Sequence, residues 1–131
     1  MAQLHVTLLA AALAALINLW LMVRCGQARN AAKVAHGDGG DATLSRHMRA
    51  HSNFTEFTPI ALVLILVLEL SGQAGWLLAA SALVFMAGRV VHAFGMQADT
   101  PGKPRMIGIM ATMITYLVWI IWAGLAAFQI V

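Results

Sequence analysis

Long apolar runs separated by polar connections dominate the hydropathy pattern of this chain. Four runs can be delimited, at about 4–23, 54–70, 76–95 and 106–130. At about 1.5 Å of rise per residue, each run is long enough to cross a hydrocarbon core of about 30 Å as a helix. The runs lack the polar–apolar alternation of membrane β-strands, and a backbone in lipid must bond to itself. The pattern therefore predicts an all-α integral membrane protein, a bundle of four transmembrane helices built as one domain from residues 1–131.

Composition supports the same class of protein. Of the 131 residues, 61% are hydrophobic and 10% are charged, whereas a soluble domain carries about 25% charged residues. The formal net charge is +3, but no nucleic-acid-binding motif is visible, so we expect no nucleic-acid partner. Met1 to Gln3 contains no basic residue and precedes a full-length apolar run. This start predicts a retained helix, not a cleaved signal peptide.

The basic residues all fall on one side of the predicted bundle. All eight Lys and Arg lie in or beside the connection after the first span or the connection after the third. The connection Ser71–Gly75 and both termini contain none. The positive-inside rule makes the basic side cytoplasmic. We therefore predict a multi-pass protein with both termini on the non-cytoplasmic side.

Polar side chains mark the start of the second span. Steps of three, four and three along a helix place four of them on one face. These residues are Arg46, Arg49, Asn53 and Glu56. An interfacial carboxylate paired with an arginine for packing is one interpretation. The other is a zwitterionic ligand, for which Glu56 would bind an ammonium group and Arg49 or Arg46 a carboxylate. The amide of Asn53 would then bind an amide of the ligand.

The third span carries Arg89 and His92, which share a helix face with Met96. Arg89 is the deepest positive charge and needs an anion, because charges inside a membrane are costly. Either Glu56 or a bound anionic ligand could supply it. A hydrogen-bonding role for His92 is favoured over a metal or haem role, since no second imidazole has suitable spacing. We therefore predict no metal site.

Three further charged residues flank the spans. Arg105 begins the fourth span on the basic side. It is either a snorkelling anchor or a cation that stabilises a developing anion, such as a thiolate, in a poorly solvated cleft. Arg29 closes the first helix and could reach the same region. Glu69, at the far end of the second span, fits a helix cap or a coupling group equally well.

Taken together, these segments resemble the MAPEG family, the membrane-associated proteins of eicosanoid and glutathione metabolism. Arg49-x3-Asn53-x2-Glu56-x2-Pro59, at the start of the second span, is similar to the signature of that family. Gly-Gln-Ala-Arg at 26–29 and Gly-Arg-Val-Val-His at 88–92 resemble segments of its prostaglandin E synthase branch. The step of sixteen residues from the arginine at 89 places Arg105 on the family's catalytic arginine. The resemblance covers essentially the whole chain.

The resemblance implies a fold, an assembly and an activity. The four-helix protomer would form a homotrimer, with glutathione bound in a cleft between subunits at the cytoplasmic side. A small lipophilic electrophile would arrive from the surrounding membrane lipids, so the implied activity is that of a glutathione transferase or peroxidase. Arg105 would be catalytic, as the residue that stabilises the glutathione thiolate. The implied glutathione contacts are Arg29, Arg49, Asn53, Glu56, Arg89 and His92.

The chain also departs from the best-known branch of the family. The eicosanoid enzymes carry tyrosines on the third helix and early in the fourth, where this chain has residues without a hydroxyl, such as Met96 and Ile109. In these features it is more similar to the short bacterial members, which predicts a bacterial inner-membrane location. The missing hydroxyls keep a second function open: a non-catalytic membrane protein of the same fold that binds lipid or another small anion.

Overall fold

Helices make up most of the part of the chain that the structure describes, residues 4–131 of a computed structural model. The four main helices are α1 (His5–Ala32), α2 (Ala42–Leu68), α3 (Trp76–Gly95) and α4 (Lys103–Ala127). A π-helical turn, Glu69–Gln73, continues α2. Within the described range, four helices are long and apolar enough to cross a membrane. The predicted fold class is confirmed, while the prediction made for Met1 to Gln3 falls outside the described residues.

The first two helices extend beyond the predicted spans into the polar connection between them. Helix α1 continues nine residues past position 23, and α2 begins twelve residues before position 54. At the start of α2, the Asp41 carboxylate accepts the backbone N–H of Leu44 at 2.7 Å, as a helix cap does. At the end of α1, Lys33 adopts a left-handed conformation. Polar caps thus set these helix ends, whereas the apolar runs predicted only the parts of the helices that can lie in lipid.

Helices α3 and α4 approach most closely where glycines remove the side chain. A Cβ built on Gly95 would lie 2.3 Å from the backbone nitrogen of Arg105. A Cβ on Gly108 would lie 2.5 Å from Cβ of His92. Real Cβ atoms essentially never come within 3.0 Å of another heavy atom, so no other residue fits either position without a shift. Close backbone packing of this kind is typical of membrane helices, and it brings the basic residues of α3 and α4 together.

Successive helices alternate in direction, so the end of α1, the start of α2, the end of α3 and the start of α4 share one end of the bundle. Side-chain contacts join these segments: Arg89 donates to Asn53 at 2.6 Å, and Arg46 donates to the carbonyl of Gln97 at 3.1 Å. We call this the basic end, because every lysine and arginine of the chain lies in one of these segments.

The opposite end is held together by Glu69. Its two carboxylate oxygens accept the backbone N–H groups of Val6, at 2.9 Å, and Thr7, at 2.7 Å. Both donors belong to the first turn of α1, whose N–H groups have no partner within their own helix. Glu69 is 4% exposed. It therefore caps a helix other than its own and fastens the start of α1 to the end of α2.

Candidate anion-binding site

A cavity of about 250 Å³ opens at the basic end between α2, α3 and α4. Five of the residues predicted for the site line it, and the remaining lining side chains are largely apolar. The predicted residues in the lining are Arg49, Asn53, Arg89, His92 and Arg105. The others are Phe57, Met96, Ile109, Thr112 and Met113. The sequence therefore identified the charged and polar part of this cavity.

Arg89 lies at the centre of the cavity's polar contacts and is only 3% exposed. Its Nη1 donates to the side-chain oxygen of Asn53 at 2.6 Å, and its Nη2 to the carbonyl of Gly108 at 3.3 Å. Its guanidinium carbon also lies 5.5 Å from the ring centre of Phe57, within the range of a cation–π contact. Its buried Nε has no hydrogen-bond partner in the part of the chain that the structure describes.

Of the two anions considered for Arg89, Glu56 forms no ion pair with it within the described residues. Glu56 is exposed and accepts a hydrogen bond from the Ser52 hydroxyl at 2.9 Å. It does not line the cavity. Asn53, and not Glu56, bonds to Arg89, although sequence spacing placed Glu56 close to the face of α2 that carries Asn53. No carboxylate stands among the residues that line the cavity, so the charge of Arg89 has no counter-ion there.

Arg49 and Arg105 add two more cations to the same cavity. Within residues 4–131, neither guanidinium has a hydrogen bond to another residue. Arg49 is exposed and Arg105 is half-buried, so both can contact a ligand from the cavity mouth. His92, which is 4% exposed, also lines the cavity. The cavity thus presents three guanidiniums and an imidazole, an arrangement suited to a molecule with more than one negative charge.

Arg29 lies outside the cavity. Its Nη1 donates to the carbonyls of Val34, at 3.2 Å, and Gly37, at 2.9 Å. Its Nη2 lies 3.6 Å from the sulfur of Met48. In this chain Arg29 orders the connection between α1 and α2, and its predicted contact with glutathione stays a prediction.

The apolar part of the lining was not predicted to belong to the site, although helical spacing would have indicated it. Ile109, Thr112 and Met113 follow Arg105 by four, seven and eight residues, the spacing of one helix face. Phe57 follows Asn53 by four residues on α2 in the same way. Extending each helix face from its charged residue toward the apolar side would have found all four.

A larger cavity at the opposite end of the bundle differs in chemistry. It measures about 650 Å³ and lies between α1 and α3, with Glu69 at its border. Apart from Glu69 and His5, its lining is almost entirely aliphatic or small. Both oxygens of Glu69 already accept backbone N–H groups. The larger cavity therefore contains no charge without a partner that could attract an ionic ligand. We place the candidate site in the smaller, cationic cavity.

Fold and site together define a class: a four-span helical membrane protein with a cationic cavity at one end of its bundle. The chain belongs to the MAPEG family, whose sequence profile matches residues 7–125. It is also similar to the inner membrane protein YecN of Escherichia coli K12, with 37% identity over 90 residues, or 69% of each chain. YecN of Escherichia coli O6:H1 matches with the same identity and coverage. The predicted family is confirmed, and these relatives are proteins of a bacterial inner membrane.

Proposed function

We propose that this protein is a membrane-bound, glutathione-dependent transferase or peroxidase that binds glutathione at the cationic cavity. The observation that carries the proposal is Arg89, a guanidinium that is 3% exposed and has no carboxylate beside it in the cavity lining. An unpaired buried charge is costly, and a bound anion removes that cost. Glutathione has two carboxylates, an ammonium group and a thiol, which fits a cavity rich in arginine.

The proposed chemistry is nucleophilic attack by the glutathione thiolate. Arg49 and Arg89 bind carboxylates, Asn53 orients the peptide, and Arg105 stabilises the thiolate at the cavity mouth. A cation beside the thiol lowers its pKa, which supplies the nucleophile at neutral pH. In transfer, the sulfur forms a bond to an electrophilic carbon and the leaving group departs with the bonding electron pair. The thiol proton passes to solvent.

The peroxidase reaction uses the same thiolate. The sulfur attacks one oxygen of a lipid hydroperoxide, the O–O bond breaks, and the alcohol leaves after protonation. A second glutathione then reduces the glutathione sulfenic acid, which yields glutathione disulfide and water. Met96, Ile109 and Met113 give the cavity an apolar wall, against which a lipophilic substrate from the bilayer would rest.

We further infer a homotrimer in which neighbouring subunits complete the cleft. The cavity of one chain, about 250 Å³, is smaller than the about 300–1,000 Å³ of typical ligand pockets. Arg49, Ser52 and Glu56 are exposed on α2, and the exposed apolar residues Ile60 and Val63 follow them. A neighbour packed on this face would shield Glu56 from lipid and let it bind the ammonium group of glutathione. The basic end would face the cytoplasm and both termini the other side.

The decisive experiment is glutathione titration of the purified protein, followed by thiolate absorbance. The wild type should bind glutathione saturably at millimolar concentration or below and show the thiolate band. Arg105→Ala should still bind but lose the band, with turnover lower by about 10²- to 10³-fold, as for loss of one oxyanion-stabilising donor. Lys103→Ala is the matched control, because this exposed cation lies outside the cavity lining. Absence of saturable binding would contradict the proposal.

Assembly and the role of Glu56 require their own measurement. Light scattering of the detergent-solubilised protein should give a protein mass of three chains, each of 14.0 kDa. Glu56→Gln should weaken glutathione binding without changing that mass. A monomeric mass together with wild-type binding would show that one chain forms the site alone.

One observation favours a second function, the non-catalytic binding of lipid headgroups or another small anion. Thr112 is the only hydroxyl residue in the cavity lining, and its hydroxyl donates to the carbonyl of Gly108 at 2.9 Å. No other hydroxyl in that lining can assist a thiol. Thermal stabilisation by phosphatidylglycerol but not by glutathione would support this second function over the first.

A further inference from the structure

Arg46 joins α2 to the connection between α3 and α4, and it lies outside the lining of the cationic cavity. It lies on α2 one turn before Arg49, and its side chain is 31% exposed. Its Nη1 donates to the carbonyl of Gln97 at 3.1 Å, and its Nη2 donates to the carboxylate of Asp99. Both acceptors belong to the connection between α3 and α4. Among residues 4–131, this is the one salt bridge that the structure contains.

The connection that Arg46 reaches is the link between two groups of site residues. It leaves α3 after Gly95, directly beside Met96 in the cavity lining, and enters α4 at Lys103, two residues before Arg105. Its other hydrogen bonds are local: the Gln97 side chain donates to the carbonyl of Ala93, within α3. The side chain of Arg46 therefore supplies the contact between this connection and α2.

Arg105 depends on this connection for its position. Its guanidinium makes no hydrogen bond within the described residues, and its backbone nitrogen lies so close to Gly95 that a Cβ there would come within 2.3 Å. This contact fixes Arg105 to the end of α3, so Arg105 changes place relative to Asn53 and Arg49 when the joined ends of α3 and α4 move relative to α2. A shift of about 1 Å at a reacting group is enough to cost about 10²-fold in rate.

We propose that Arg46 is a positioning residue: by clamping Gln97 and Asp99 to α2, it fixes the mouth of the cavity and the place of Arg105. The clamp itself is a property of the chain without ligand, whereas its effect on thiolate formation rests on the proposed function. Glutathione, or another anion at the same site, would enter through the mouth that the clamp defines.

Asp99 separates this role from the obvious alternative, in which Arg46 binds the ligand directly. If Arg46 is a clamp, Arg46→Gln and Asp99→Asn should act in the same direction, with the larger effect in Arg46→Gln, because Asp99→Asn leaves the bond from Arg46 to the carbonyl of Gln97. If Arg46 is a ligand contact, Asp99 competes with the ligand for it. Arg46→Gln should then weaken binding while Asp99→Asn leaves it unchanged or strengthens it. The two variants change the local charge in opposite directions, so electrostatics alone cannot make them agree.

The first measurement is amide hydrogen exchange across residues 94–106 in the full-length protein without ligand, since exchange reports local opening. Arg46→Gln and Asp99→Asn should each speed exchange by about two- to fivefold, the range expected for one exposed ion pair. The double variant should match Arg46→Gln, because Asp99 has no contact with Arg46 left to lose once the Arg46 side chain is replaced. Lys103→Gln is the control for loss of charge and should leave exchange unchanged. Wild-type exchange in both single variants would overturn the clamp.

The second measurement is the pH dependence of the thiolate band with glutathione. Both single variants should shift the appearance of the band to higher pH, because Arg105 is held less firmly, and Lys103→Gln should not shift it. A shift in Arg46→Gln alone would overturn the positioning role in favour of direct contact. If the wild type binds no glutathione, the proposed function fails, and the exchange experiment still decides whether the clamp exists.

Discussion

The two ends of the bundle each bury a charged side chain, and they treat it in opposite ways. At one end Glu69, 4% exposed, has each carboxylate oxygen bonded to a backbone N–H of α1. At the other end Arg89, 3% exposed, leaves its Nε unpaired within the described residues. Buried polar groups in proteins are nearly always paired, so the difference is informative. A charge satisfied by the chain holds the fold, and a charge left over marks a place for a ligand.

The surroundings of the two charges sharpen the contrast. Glu69 lies at the start of α1, where the helix dipole favours a negative charge. Arg89 shares its cavity with Arg49 and Arg105, whose positive charges oppose its own. The first arrangement lowers the energy of the isolated protein, whereas the second raises it until an anion binds.

The largest loss of stability is expected from Gly108→Ala. The added Cβ would lie 2.5 Å from Cβ of His92 and 2.6 Å from the carbonyl oxygen of Gly88, so α3 and α4 must separate. Such overpacking costs about 1–3 kcal/mol or more. Gly124→Ala, also within α4, is the control: its Cβ would meet nothing within 4 Å, and helix propensity favours alanine by about 1 kcal/mol. Thermal unfolding of both variants in detergent should show opposite shifts in melting temperature.

If Gly108→Ala melted like Gly124→Ala, the basic end would not depend on backbone contact between α3 and α4. Its charges would then be held by side chains alone. The same comparison can be made at Gly95, where the nearest atom to an added Cβ is the backbone nitrogen of Arg105 at 2.3 Å. There, loss of thiolate formation should accompany loss of stability.

Glu69→Gln should destabilise the protein without affecting the cationic cavity, which Glu69 does not line. One oxygen of the side chain is replaced by an amide NH₂, which faces a backbone N–H instead of accepting from it. A buried donor left unsatisfied costs about 1–3 kcal/mol. Glu56→Gln is the matched control, because this exposed carboxylate accepts only the nearby Ser52 hydroxyl. Its unfolding free energy in the monomer should change by less than about 0.5 kcal/mol.

Anion binding is the second measurement for that pair of variants. Glu69→Gln should leave the affinity for glutathione unchanged, since Glu69 lies outside the cationic cavity. A loss of affinity equal to that of a cavity variant would show that the two ends are coupled. The division between a structural end and a ligand-binding end would then fail.

The sequence could predict these elements to different degrees, for physical reasons. Hydropathy located four spans because lipid imposes length and apolarity on each helix separately. A cap such as Asp41 is easier to find from sequence, because its partner, Leu44, is only three residues away. The partners of Glu69 are backbone N–H groups more than sixty residues away. Almost every residue has such a group, so the sequence does not show which ones Glu69 binds. The role of Glu69 could therefore be narrowed to a cap or a coupling group and no further.

The candidate site shows the same limit. Helical spacing correctly placed Arg89 and His92 on one face, but it could not say which side of α2 that face would meet. The sequence therefore left open whether Glu56 or a bound anion is the partner of Arg89, and in the structure Asn53 is the residue that accepts from Arg89. The clamp by Arg46 was invisible as well, since it depends on the path of an irregular connection.

Arg89→Gln should reverse the pattern of Glu69→Gln. Removing an uncompensated buried charge should leave the melting temperature unchanged or raise it. The carbonyl of Gly108 still accepts the Thr112 hydroxyl at 2.9 Å, so it is not left unpaired. The affinity for glutathione should fall by about 10- to 100-fold, as expected for loss of a charged hydrogen bond worth about 1.5–3 kcal/mol. Arg24→Gln, outside the cavity lining, serves as the control for net charge.

A marked drop in melting temperature for Arg89→Gln, with glutathione binding intact, would contradict the distinction between a structural Glu69 and a ligand-binding Arg89. Arg89 would then be a structural residue like Glu69, and its hydrogen bonds to Asn53 and Gly108 would stabilise the fold. The anion would have to bind through Arg49 and Arg105 alone.

The smallest effect is expected at Asp41, the carboxylate cap of the basic end. Asp41→Ala should cost about 1 kcal/mol in unfolding free energy, because the N–H of Leu44 loses its acceptor. Asp41→Asn should cost only a few tenths, since asparagine caps helices about as well as aspartate. At Glu69 the corresponding carboxylate-to-amide change should cost more, because Glu69 is 4% exposed whereas Asp41 is half-buried, and because both oxygens of Glu69 accept an N–H. Equal shifts in melting temperature for Asp41→Asn and Glu69→Gln would show that burial does not set the strength of these caps.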